Sequence, residues 1–95
     1  MSKYITLFSW TEQGVQNFKD TVARADAAKK LASEMGGSFE IYWTLGEYDI
    51  VSISEFPDDE TATAFLLGVA SQGNIRSKTM RAFDSGEMQG IIAKG

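Results

Sequence analysis

The chain has neither cysteine nor histidine and a single proline in 95 residues. Those absences remove disulfides, zinc-finger ligand sets, histidine-ligated haem, Ser-His-Asp and Cys-His nucleophile pairs, and every histidine general base. What remains for chemistry is carboxylates, three arginines, six lysines, three tyrosines and hydroxyls. No stretch approaches the roughly 18 apolar residues of a membrane span. The opening Met1–Trp10 carries one cation, and its apolar stretch is interrupted and ends at Glu12, too short and too polar for a signal segment. A soluble, cytoplasmic chain is the expectation, and the missing cysteines suit any compartment. Nine basic against 13 acidic side chains leave a net charge of −4, with the cations scattered from Lys3 to Lys94. Such a surface repels phosphate backbones, so neither nucleic acid nor membrane is expected as a partner.

What is present is 43% hydrophobic and 12% aromatic residues, enough for one domain over 1–95. Residues 4–10 read as a strand, with Ile5 and Leu7 on one side and Tyr4, Phe8 and Trp10 on the other, so both faces are apolar. Ser9 and Thr11 offer N-cap hydroxyls, with Glu12 three residues after Ser9. The pattern then steps by three and four through Val15, Phe18, Val22, Ala25, Ala28, Ala32 and Met35, a helical stripe stopped at Gly36-Gly37. An unbroken helix over 12–35 would run roughly 36 Å against about 23 Å for the strand, so a break is expected near Asp20-Thr21.

Residues 38–45 alternate, Phe39, Ile41, Trp43 and Leu45 against Ser38, Glu40, Tyr42 and Thr44, and a tight reversal at Gly46-Glu47 leads into a return strand over 48–56. Pro57 closes that strand, and Asp58 or Asp59 caps a helix carrying Ala62, Phe65, Leu66 and Val69 until Gly73. A last strand covers 75–83, and Asp84 with Glu87 opens a short helix bearing Met88, Ile91 and Ile92.

The order βα-ββ-αβ plus a tail helix predicts a ferredoxin-like α+β fold, a four-stranded antiparallel sheet with both main helices on one face. The other face is then bare, roughly 440 Å² for four strands of about 23 Å spaced about 4.8 Å apart. At about 25 cal/mol per Å², covering half of it contributes several kcal/mol before association costs. A second copy packed sheet against sheet, a homodimer, is the expected solution. The competing arrangement is a monomer whose tail helix folds over the open face.

Through Gly46-Glu47-Tyr48-Asp49-Ile50-Val51 the chain resembles the GYD domain family of small bacterial proteins. Supporting pieces are Tyr4-Ile5-Thr6-Leu7, Trp10-Thr11-Glu12-Gln13-Gly14, Gly36-Gly37, Pro57-Asp58-Asp59-Glu60, and Gly73-Asn74-Ile75-Arg76 leading to Arg81-Ala82-Phe83. The resemblance implies a bacterial or archaeal-type soluble protein of the dimeric α+β-barrel class and brings no established activity with it. Thr21-Val22 departs from the family, which often breaks its first helical region with a proline there.

The candidate ligand-binding residues are Trp10, Trp43, Tyr48, Asp49, Asn74, Thr79 and Arg81. Glu47 and Asp49 flank a turn and are candidates for a carboxylate pair, with Tyr48 as an orienting hydroxyl. The plain account has Gly46 supplying a positive φ, Asp49 accepting a turn amide and Tyr48 packing on a helix. Arg76, Lys78 and Arg81 concentrate cations, yet period two puts Arg81, beside Thr79, on the face opposite the other two. Arg81 is the candidate to hold a carboxylate or enolate by a two-pronged hydrogen bond, against a plain role in surface ion pairs. Gly68 to Gly73 has half the spacing of a phosphate loop, but Asn74-Ile75 replaces its Lys-Ser/Thr pair, which rejects nucleotide binding. Trp10, Tyr42 and Trp43 with Phe8 and Phe39 line either an apolar pocket or a core and interface; Trp10, at the strand-to-helix turn, is the one best placed to turn an indole N–H toward a cleft.

Three functions follow: a small-molecule-binding module for an apolar or carboxylate-bearing ligand, oriented by Arg81 or Asn74; a cofactor-free enzyme using a carboxylate base on an aromatic or enolisable substrate, by fold analogy; and an assembly protein. The binding module leads, because no dense cluster of catalytic residues appears. No metal or cofactor is expected.

Overall fold

Alternation writes the central strand. In β1 (Ser2–Trp10) Tyr4, Thr6 and Phe8 are buried, whereas Ile5 and Leu7 on the opposite face are half-buried. The computed structural model describes residues 1–95. β1 pairs antiparallel with β3 (Ile50–Phe56) from Ser2↔Phe56 to Phe8↔Ile50, and with β4 (Ile75–Ala82) from Lys3↔Ala82 to Trp10↔Ile75. β2 (Ser38–Trp43) adds to the outer edge of β3. The sheet order is β2-β3-β1-β4, that of the ferredoxin-like split unit.

Four α-helices accompany the sheet: α1 (Glu12–Gln16), α2 (Thr21–Glu34), α3 (Asp59–Ala70) and α4 (Ser85–Lys94). Tyr4, Phe8, Phe39, Ile50 and Phe56 of the sheet meet Ala28 and Ala32 of α2 and Ala62 and Phe65 of α3 in one core. The Phe65 ring lies 5.2 Å from Phe39 and 5.0 Å from Phe56, the spacing of favourable aromatic pairs. No helix is long and apolar enough to cross a membrane.

Several expectations change. The break falls where the length argument puts it, as a 3₁₀ turn over Phe18–Asp20. That turn re-phases the chain, so Val15, Phe18 and Val22 are more than half exposed and leave the core stripe to Ala25, Ala28 and Ala32. Thr11, not Ser9, caps α1 by accepting from the Gly14 amide, because Ser9 remains in β1 opposite Arg76. The tight reversal at Gly46-Glu47 is instead a six-residue loop, Thr44–Asp49, with Leu45 wholly exposed. Its cause is long-range: Asp49 donates its amide to the Phe8 carbonyl and accepts the Trp10 amide on its carboxylate, so the β3 end of the loop is tied to β1.

Asp58 caps α3 and Asp84 forms the expected capping box with Glu87. The tail-helix arrangement is not adopted: Met88, Ile91 and Ile92 of α4 stay exposed, as do Ile53 and Met80 of the sheet. Ile5, Leu7, Val51, Ile53 and Met80 therefore form a sheet face that no helix covers.

Candidate functional site

α2 turns short side chains to the sheet. Ala32 closes on the core completely, but toward the helix N-terminus Ala25 and Ala28 leave a gap beneath the backbone that their methyls do not fill. The result is a cavity of about 80 Å³ between α2 and the strands. At about 10–15 Å³ per water-sized sphere it has room for about five to eight heavy atoms. Phe8, Trp10, Phe39, Ile41 and Ile50 form its sheet-side wall, α2 supplies Thr21, Arg24 and Leu31, and Gln72 and Asn74 close it from the loop after α3.

Two hydrogen-bond donors at this cavity have no acceptor: the Trp10 indole Nε1 and Nη2 of Arg24, both buried. Nη1 of the same guanidinium donates to the Asn17 carbonyl at 2.8 Å, which anchors the side chain against the wall. Every ion pair in the molecule belongs to Lys3 or Arg81, so the Arg24 charge has no carboxylate partner. A buried donor without an acceptor costs about 1–3 kcal/mol. The third such group, the Ser52 hydroxyl, lies under the core and does not line the cavity.

The close approach of the α3–β4 loop to α1 fixes the cavity's far wall. Thr11 donates its amide to the Asn74 carbonyl at 3.0 Å and its hydroxyl to the Gly73 carbonyl at 2.6 Å. The Gln13 amide donates to the Gln72 carbonyl and to Asn74 Oδ1. Gly14 permits this contact, since a Cβ there would stand 2.0 Å from the Asn74 carbonyl oxygen.

The seven sequence candidates separate. Trp10 and Asn74 share the cavity. Asp49 borders it only through the Trp10 main-chain amide, a positioning role at 2.8 Å. Trp43 is outside the wall, its indole donating to the Thr21 hydroxyl at 3.0 Å. Tyr48 packs on the Lys78 ammonium, 5.9 Å from the ring centre, and not on a helix. Thr79 is bonded to Thr6 at 3.0 Å in the sheet.

Arg81 stands opposite Tyr4 at the other end of β1, six residues from Trp10, about 20 Å at 3.3 Å per residue. There it stacks on Tyr4 and Phe83, donates to the Lys3 and Ala82 carbonyls and pairs with Asp59 and Glu87. Tyr4 itself donates to Asp59 at 2.6 Å, and burial first, that bond second, raises its hydroxyl above the ordinary 10.0. Arg81 is thus consumed by structure and does not orient a ligand in the cavity. The residue that the sequence reading missed is Arg24. Its signal was present: it stands three after Thr21 and four before Ala28, a cation on the small-residue stripe of a helix.

Known proteins share this fold and sequence pattern. The profile of the GYD domain matches residues 4–92. A Thermus thermophilus protein named glutamine synthetase and cystathionine beta-lyase binding protein is 28% identical over 87 residues, 86% of this chain and 88% of that one. The solved structure of At3g17210 from Arabidopsis thaliana has a TM-score of 0.66 at 11% identity, over 90% of this chain and 96% of that one. The crystal structure of TTHA0845 from Thermus thermophilus has a TM-score of 0.58 at 22% identity over the same shares. At those identities the two structures speak to the fold alone.

Proposed function

The chain belongs to the GYD domain family, and from that premise we propose that it is a non-catalytic, homodimeric small-molecule-binding module working in the bacterial cytoplasm. The observation that carries this reading is the cavity beside Trp10, apolar along its sheet wall and holding two donors without acceptors. A packed core gains nothing from that arrangement, whereas a bound oxygen would recover its cost. The enzyme alternative lacks its instrument, since no carboxylate lines the cavity and the buried Tyr4 hydroxyl is committed to Asp59.

The dimeric α+β barrel is supported by the uncovered apolar face of the sheet, which a second copy packed sheet against sheet would bury. A second reading is favoured by one finding: the Thermus relative is named for binding two enzymes. Applied here, it makes the same uncovered face, with the exposed Met88, Ile91 and Ile92 of α4, a docking surface for another protein.

Sedimentation at micromolar concentration separates these. The dimer predicts a species of twice 10.4 kDa; a species of one chain would free the face for other partners and end the barrel reading. A small-molecule screen read by thermal shift tests the module, which requires at least one compound that raises the melting temperature and loses its effect in Trp10→Ala.

A further inference from the structure

We propose that the cavity takes a small apolar carboxylic acid as its anion, its hydrocarbon between α2 and the sheet and its carboxylate on the unsatisfied donors of Arg24 and Trp10. This inference rests on the binding-module reading and specifies its ligand. Phe8, Phe39, Ile41 and Ile50 present hydrocarbon, so the body of the ligand is apolar. The buried polar atoms left over on the wall are donors only: an indole N–H and a guanidinium have no lone pair to offer. Of the side-chain acceptors on the wall, Thr21 Oγ1 takes the Trp43 indole and Asn74 Oδ1 takes Gln13, which leaves only the amide of exposed Gln72.

A neutral carbonyl, with two lone pairs, accepts from two donors but leaves the Arg24 charge unpaired. The unpaired charge of Arg24 selects an anion, and a carboxylate meets it with two oxygens, each able to accept from an unsatisfied donor. Arg24 is the one cation on the wall, which suits a monoanion and not a phosphate that wants several positive partners. The cavity holds about five to eight heavy atoms, the size of a short branched acid.

Three probes of matched shape decide it: isovalerate, isoamyl alcohol and isoamylamine. The chain has two tryptophans, so ¹⁵N-labelled protein gives two indole signals, and Trp43 is the internal control because its N–H is held by Thr21. Trp10→Phe assigns the signals. Isovalerate at neutral pH is expected to move the Trp10 indole saturably and to bind at least tenfold more tightly than the alcohol, with the amine weakest. Arg24→Gln should bring acid and alcohol to within about twofold of each other, with Arg24→Lys recovering part of the preference.

The wild-type ratio of acid to alcohol decides the matter even if a variant folds poorly. An alcohol that binds as tightly as the acid overturns the carboxylate assignment and leaves the cavity reading in place. A Trp10 signal that none of the three probes moves overturns both. Movement of the Trp43 signal alone places binding elsewhere and overturns the assignment to these donors.

Discussion

Tyr4 and Trp10 lie on the same face of one strand, and the arginines beside them are used in opposite ways. Beside Tyr4, Arg81 commits its guanidinium to two carbonyls, a serine hydroxyl, two carboxylates and two aromatic rings. Beside the cavity that Trp10 lines, Arg24 has one carbonyl and no carboxylate, and a nitrogen of the indole is equally unsatisfied. The first end is also the tightly packed one, where Phe56 and Phe65 are 1% exposed, while the second has alanines and a cavity. Density of cations along the sequence therefore points to the wrong end. Hydrogen-bonding capacity left over after folding points to the right one.

The contrast breaks most visibly where packing is tightest. Phe56→Ala should cost about 3–5 kcal/mol, because the ring contacts Tyr4 and Phe65 and no neighbour can collapse into its place. Leu31→Ala, on the cavity wall and half-buried, should cost about 2 kcal/mol or less. Urea denaturation of the pair measures both, and equal losses would mean that the two ends are packed alike.

Gly14→Ala sharpens the comparison at the cavity end. The new Cβ has to displace the Asn74 carbonyl, so a loss of about 1–3 kcal/mol by overpacking is expected despite alanine's preference of about 1 kcal/mol over glycine in helices. Chemical-shift changes should concentrate at residues 72–75; a variant as stable as the parent would show that the loop is not clamped.

The smallest effect concerns pH at the Arg81 end. The Glu87 amide, and then Lys3, hold the Asp84 carboxyl below its ordinary 3.8, and Asp84 in turn raises Lys3 above its ordinary 10.5. A depressed carboxyl contributes stability that is complete above its unfolded value and disappears as pH falls below 3.8. A raised ammonium contributes below 10.5 and loses that contribution as pH climbs past it. Thermal melts from pH 7 down to pH 3 should therefore show a shallower decline for Asp84→Asn than for the parent, and parallel curves would show that the pair contributes nothing.

Much of this fold is legible locally. The alternation of Tyr4, Thr6 and Phe8 is a property of neighbouring residues, as are the Asp58 cap and the Asp84–Glu87 box, and each appears as the pattern implies. The break in the first helical region follows from length alone. What could not be read depends on groups distant in sequence. The Asp49 carboxylate reaches the Trp10 amide 39 positions away, and that bond ties the loop to β1, while Gly46 supplies the positive φ expected of it. Likewise the 3₁₀ turn decides which helical residues face the sheet, so Val22 turns out to water and Arg24 turns in. Trp10 and Asn74 were legible because strand-to-helix turns and loop ends converge at one edge of such a sheet, while Arg81 misled because its carboxylate partners come from α3 and α4.

The most direct test of the central claim is a crystal structure of the protein purified from its own host, inspected for electron density at the two arginines. The predicted result is a small molecule beneath α2, with density reaching Trp10 Nε1 and Arg24 Nη2. A cavity closed by its own side chains, or a molecule seated on Arg81 instead, would contradict it.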